Sequence, residues 1–200
     1  MKILHTLCCS SVTLAFLLPA AHLSASGTDA PMVETYKIDQ THSAITFKIR
    51  HIFSQLPGNF SDFEGTIKID PANPANNSVE AVIQIGSVDT RNEKRDRHLR
   101  AEDFFKSEAY PTMTFKSTQW RPQGRERFLV TGDLTIMEIT KEVTLDVTLL
   151  GSGKRRDKYL TGWLATTTLD RNDFGIIHGA PMIGPDVTVE INIEAVREEG

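Results

Sequence analysis

Apolar residues alternate with polar ones through most of this chain, and that period of two leaves few folds open. Val187, Val189, Ile191, Ile193 and Ala195 share one face of a segment whose other face carries Thr188, Glu190, Asn192 and Glu194. Ile45, Phe47 and Ile49 oppose Thr46, Lys48 and Arg50 in the same way, and Val143, Leu145, Val147 and Leu149 oppose Thr144, Asp146 and Thr148. Val79, Ala81, Ile83 and Ile85 stand opposite Glu80 and Gln84, while Ile67 and Ile69 follow Gly65. Successive side chains of a strand point to opposite faces, so each run reads as a strand with one apolar and one wet face. Less regular strands fit residues 112–120, 127–137 and 158–169.

The fold class is therefore all-β, with about eight antiparallel strands. Turn-rich joints are expected at Leu56 to Asn59, Asp70 to Pro74, Arg121 to Gly124 and Gly151 to Gly153. No repeated strand–helix alternation is visible, which leaves a closed barrel or a sandwich. A barrel in an outer membrane needs an apolar face toward lipid and a polar lumen. Here the polar faces carry Lys48, Arg50, Glu190 and Glu194, which suit water, so the apolar faces point inward. An eight-stranded barrel of that kind is either filled by its own side chains or holds one small ligand.

The N-terminus predicts export. Lys2, an apolar run strongest from Val12 to Leu18, Pro19 and a stretch of small residues form the pattern of a cleaved signal peptide over residues 1–25. Cleavage is expected after Ala25, with Gly27 as the second choice, and the destination is the periplasm or the exterior. The run is too short for a stable membrane anchor. Both cysteines, Cys8 and Cys9, leave with the leader, so no disulfide is expected. What remains is about 175 residues, the size of one domain, with 21 basic against 26 acidic side chains. That acidic balance argues against nucleic acid as a partner.

One segment breaks the alternation. Arg91, Lys94, Arg95, Arg97 and Arg100 place five cations within ten residues, ahead of Phe104, Phe105 and Pro111. Two readings stand side by side: a solvated helical turn in which Glu93 and Asp96 pair with Arg97 and Arg100 at i,i+4, or a contact for an anionic headgroup. Leu99, Phe104 and Phe105 would dock such a helix on the barrel. Of the histidines beyond the leader (His42, His51, His98 and His178), none are spaced as metal ligands in sequence, and no metal site is expected. His51 continues the inward parity of Ile45, Phe47 and Ile49 and reads as a strand-end histidine or as a polar contact at a barrel mouth. No nucleophile elbow, phosphate loop or paired carboxylates appear, so no catalytic residues are assigned.

Several runs together resemble the YceI-like family of secreted lipid- and polyisoprenoid-binding proteins. Residues 38–67 resemble its opening strand pair, with His42, Phe47, His51, Gly58, Phe60, Phe63 and Gly65 in place. The run from Ser87 through the basic segment to Phe115 is similar to the family's most distinctive stretch, and residues 130–147 and 165–176 complete the order. At one hairpin tip Met137, Glu138 and Glu142 replace the family's histidine, glycine and proline.

The resemblance implies a lipocalin-like eight-stranded antiparallel barrel over residues 32–197, with a short helical insertion at about 92–105 and an apolar cavity for an amphiphile. It implies a binding protein and not an enzyme, with no cofactor. The expected ligand is a long-chain isoprenoid, as a polyprenyl phosphate or an isoprenoid quinone. Its tail is expected against Ile45, Phe47, Ile49, Phe63, Ile67, Ile83, Val143, Leu145, Val189 and Ile191, and its head against His51, Arg95 and Arg100. A homodimer stays open as the assembly. The rival functions are a barrel enzyme, an isomerase or cyclase acting on a lipid, and a packed barrel that serves as an interaction module.

Overall fold

A computed structural model describes residues 32–199. The expected leader and its cleavage point lie outside the described residues. Among these, eleven strands form one antiparallel sheet: β1 (Glu34–Ile38), β2 (Ala44–His51), β3 (Ser54–Phe60), β4 (Phe63–Ile69), β5 (Ser78–Gln84), β6 (Val88–Asp89), β7 (Thr112–Pro122), β8 (Arg127–Ile136), β9 (Ile139–Arg155), β10 (Lys158–Asp170) and β11 (Ile183–Arg197). The helical insertion is α1 (Glu93–Arg100), followed by turns.

Eleven segments make eight staves. β11 pairs with β2 from Ile183 to Asn192 and with β1 from Ala195 to Arg197, so β1 and β2 are two halves of one bent strand. β3 and β4 continue the pair, β3 alongside β2 and β4 alongside β1, and β5 and β6 repeat it once more. The β1–β11 pairing closes the sheet on itself as an eight-stranded antiparallel barrel.

Two expected turns are strand instead. Leu56 to Asn59 lies inside β3, and the reversal comes two residues after His51, at Ile52 and Phe53. Pro57 is tolerated because β3 meets β6 only at Asn59 and Phe60, so its missing N–H lies along an open edge. Gly58 leaves room for the tip of the Phe47 ring, which a Cβ there would meet. Gly151 to Gly153 lies inside β9, whose hairpin turns at Arg156 and Asp157. There Gly151 faces Gly162 while Leu149 faces Trp163, which leaves Leu150 unpaired and 61% exposed in a bulge.

The interior divides into two cores. At one end Trp120, Phe128 and Trp163 meet edge to face or tilted, with ring centroids 5.6 to 6.1 Å apart, and Tyr36, Ile67, Val130 and Ala195 pack around them. Each such aromatic pair adds about 0.5–1.5 kcal/mol beyond the area it buries. This end is solid. At the other end Phe60, Phe63, Ile83, Met113, Phe104 and Phe174 form a second core beneath α1.

α1 is held by specific polar contacts. The Asn92 side chain caps it by accepting from the Arg95 N–H at 3.0 Å. Asp96 does not pair with Arg100 as its i,i+4 spacing allowed. Its carboxylate is buried and accepts from both the N–H and the hydroxyl of Thr90. Only Glu93 and Arg97 form an i,i+4 pair, at 3.8 Å and in solvent.

Candidate functional site: an apolar cavity under a basic helix

Above the aromatic plug the barrel is hollow. A cavity of about 740 Å³ runs between the inner faces of β2, β7, β8, β9 and β11 up to α1 and the β10–β11 connection. The inward faces show why it exists. Ile45, Phe47, Ile49, Val187, Val189 and Ile191 point inward yet stay only half-buried, because no side chain fills the space they face.

Eight of the ten expected tail positions line this cavity: Ile45, Phe47, Ile49, Ile83, Val143, Leu145, Val189 and Ile191. Phe63 and Ile67 do not reach it. Both lie on β4, beyond the bend that separates it from β3. Ile67 packs into the solid end opposite Tyr36, and Phe63 into the second core.

The expected head positions separate. His51 ends β2 and lines the cavity, as does Arg95. Arg95 donates from Nε to the Thr90 hydroxyl at 2.7 Å and from Nη2 to the Thr90 carbonyl at 2.8 Å, which leaves Nη1 without a protein acceptor among the described residues. Arg100 is not at the cavity, because five residues advance an ideal helix by roughly 140° and carry it off the face of Arg95. Its Nη1 donates to the Gly86 carbonyl at 3.1 Å.

Sequence reasoning passed over Arg171. Nine-tenths buried and more, it lines the cavity and donates to four backbone carbonyls, those of Gly184, Ile176, His178 and Ile183, at 2.6 to 3.1 Å. No carboxylate is among these partners. Burial lowers its pKa, a shift that neighbouring Asp170 opposes, but a guanidinium keeps its proton. The signal was present: Trp163, Ala165, Thr167 and Leu169 set an inward parity that Arg171 continues.

His98 and His178 also reach the rim, brought together from α1 and the β10–β11 connection with ring centroids 5.2 Å apart. Phe104 lies against both. With Asp103, 3.2 Å from His98 Nε2, they offer ligand atoms within 4.8 Å of one another, a group able to hold a metal ion that no sequence spacing announced. A second such group joins Asp39, His42 and Glu194 on the outside. Asp39 and His42 are 2.9 Å apart, which lowers the pKa of the acid and raises that of the imidazole.

The arrangement is an apolar chamber closed at one end, with cationic and imidazole groups at the other. It suits an amphiphile taken tail first.

The YceI-like domain family matches residues 36–195. A UPF0312 protein of Photorhabdus laumondii is 39% identical over 172 residues, covering 84% of this chain and 89% of that protein. A YceI protein of Campylobacter jejuni is 34% identical in its crystal structure, with a TM-score of 0.69 over 74% of this chain and 88% of that one. A polyisoprenoid binding domain from Saccharophagus degradans, 15% identical, shares the fold with a TM-score of 0.63 over 82% of this chain and 98% of its own. By the match of nearly its whole described length and by its relatives, this chain belongs to the YceI-like family.

Proposed function

We propose that this protein is an exported, non-enzymatic carrier that holds the tail of a long-chain isoprenoid in the barrel and its polar head among the cations at the mouth. The cavity carries the reading. It is apolar, blind at the Trp120–Trp163 end and polar at its opening. The structural likeness to a polyisoprenoid binding domain supports an isoprenoid over a straight acyl chain. The signal-peptide pattern over residues 1–25 supports the periplasm as its place of work.

The volume supports a tail of limited length. At roughly 30 Å³ per water-sized group, 740 Å³ holds on the order of 25 such groups, or about five isoprene units. Burying that many carbons at roughly 0.8 kcal/mol each gives about 20 kcal/mol, already near the ceiling of non-covalent affinity before ordering costs. The tail supplies affinity and the head selects. Longer chains would have to protrude.

The test is lipid extraction and native mass spectrometry of protein purified from the periplasmic fraction. A bound isoprenoid in the parent, absent from a folded Ile49→Trp variant that fills the chamber, is the expected result. Equal lipid in both would place the site elsewhere, and recovery only in the cytoplasm would remove the exported role.

A further inference from the structure

We propose that the cavity mouth is also a membrane-docking surface, with an apolar lip that inserts among lipids and a basic flank that selects anionic headgroups. The inference rests on the carrier reading for its purpose but on separate residues for its chemistry.

The lip is built from two loops. Phe53, at the tip of the β2–β3 hairpin, is fully exposed, and its neighbour Ile52 is 40% exposed. Ile177 and Met182, in the β10–β11 connection, are 67% and 57% exposed. The Ile52 N–H donates to the Met182 carbonyl at 2.8 Å, which ties the two loops into one rim. Met182 and the neighbours His51 and His178 line the cavity, so the lip borders its opening directly. Half of the large exposed apolar side chains among the described residues are gathered here. Scattered apolar residues on a surface need no explanation, but a cluster around the entrance to an apolar chamber does.

Charge identifies the occupant. The Arg50 guanidinium donates to the Ile52 carbonyl at 3.1 Å and so places a cation at the lip itself. Lys94 and Arg95 border the cavity, exposed Arg97 stands further round α1, and exposed Arg91 lies just ahead of the helix. Glu93 answers Arg97 alone. The chain as a whole is acidic, with a net charge of −4, so its overall field repels an anionic surface and docking at this face depends on these local cations. Apolar side chains ringed by local cations match the boundary between headgroups and acyl chains. Docked this way, the chamber would open straight into the layer that holds its ligand, and the tail would pass from one to the other without crossing water.

The experiment is co-sedimentation of the exported protein with vesicles of phosphatidylcholine alone or mixed with phosphatidylglycerol. All the substituted side chains are solvent-exposed, so the variants should fold, which circular dichroism checks. Each large apolar side chain moved out of water strengthens partition by roughly ten- to hundredfold. Phe53→Ser/Ile177→Ser should therefore lose binding to both vesicles. Lys94→Gln/Arg97→Gln should lose the preference for the anionic mixture while keeping residual binding. Equal sedimentation of Phe53→Ser/Ile177→Ser and parent, or no binding by the parent, would overturn the proposal. So would a parent dimer that this variant dissociates, since the lip would then serve a second copy of the chain. Lipid content of detergent-loaded protein separates the two readings. Lip variants that still hold lipid keep the carrier role whatever the vesicles show, and lip-dependent sedimentation of a protein that holds no lipid keeps the docking role alone.

Discussion

Arg171 shows how one side chain can organise the entrance. Its guanidinium gathers four carbonyls that the loop after β10 and the start of β11 would otherwise leave without donors. A buried acceptor stripped of its donor costs about 1–3 kcal/mol. Arg171→Met should therefore cost at least about 3 kcal/mol in urea unfolding, even though it removes a buried charge. A loss below about 1 kcal/mol would mean that water replaces the guanidinium freely. Gly58 makes a complementary point. A Cβ there would run into the tip of the Phe47 ring, so one of the two must move. Because Phe47 borders empty space, its ring can swing inward, and Gly58→Ala should cost only about 1–3 kcal/mol while shortening the tail that co-purifies. Mass spectrometry of the bound lipid reads that shortening; an unchanged ligand would show that the backbone shifted instead. Parity made the Phe47 face legible in sequence, and the same parity reached Arg171, but an arginine at a strand end carries no mark of where its hydrogen bonds go.

At the scale of elements, alternation located the strands, while turn-residue signals misplaced two turns. Proline and glycine mark turns only when the backbone needs them there. In β3 and β9 they serve an open edge, a close-lying ring tip and a bulge. A bulge also hid one of the three rings of the aromatic plug. The register of β7 shifts between Ser117 and Gln119, which brings Trp120 inward beside Phe115 although their spacing of five puts them on opposite faces of a regular strand. The basic helix was legible in composition but not in orientation, and orientation decides its chemistry. Arg95→Gln should weaken binding of an isoprenoid diphosphate by roughly tenfold or more relative to the matching alcohol, since a charge-assisted hydrogen bond contributes about 1.5–3 kcal/mol. Arg100→Gln should leave both affinities alone. Selectivity loss in Arg100→Gln would move the head contact to that residue, and loss in neither variant would favour a neutral head such as a quinone.

Across the whole molecule, the barrel depends on one seam, where β1 meets β11 across Tyr36 and Arg197. Glu34 joins them: Arg197 Nη1 donates to one carboxylate oxygen at 2.6 Å and the Tyr36 hydroxyl to the other at 2.7 Å. The guanidinium also lies over the Tyr159 ring, 4.2 Å from its centroid. Burial first, then the hydrogen bond to Glu34 and its charge, push the Tyr36 pKa up to about 12, with Arg197 pulling the other way. In the unfolded chain a tyrosine titrates near 10. Below that pH both states keep the proton and stability is flat. Between about 10 and 12 the unfolded chain has lost the proton and the folded barrel still holds it, so stability falls with rising pH, by on the order of 2 kcal/mol. Tyr110 and Lys116 have pKa values raised by Glu138 and Glu80, but both are exposed on the surface and add little to the slope. Urea unfolding at a series of pH values should show the parent losing stability from pH 10 upward, and Tyr36→Phe losing much less while remaining folded at neutral pH. Parallel curves for the two proteins would mean that the seam does not govern the alkaline limit, and that the surface pairs do.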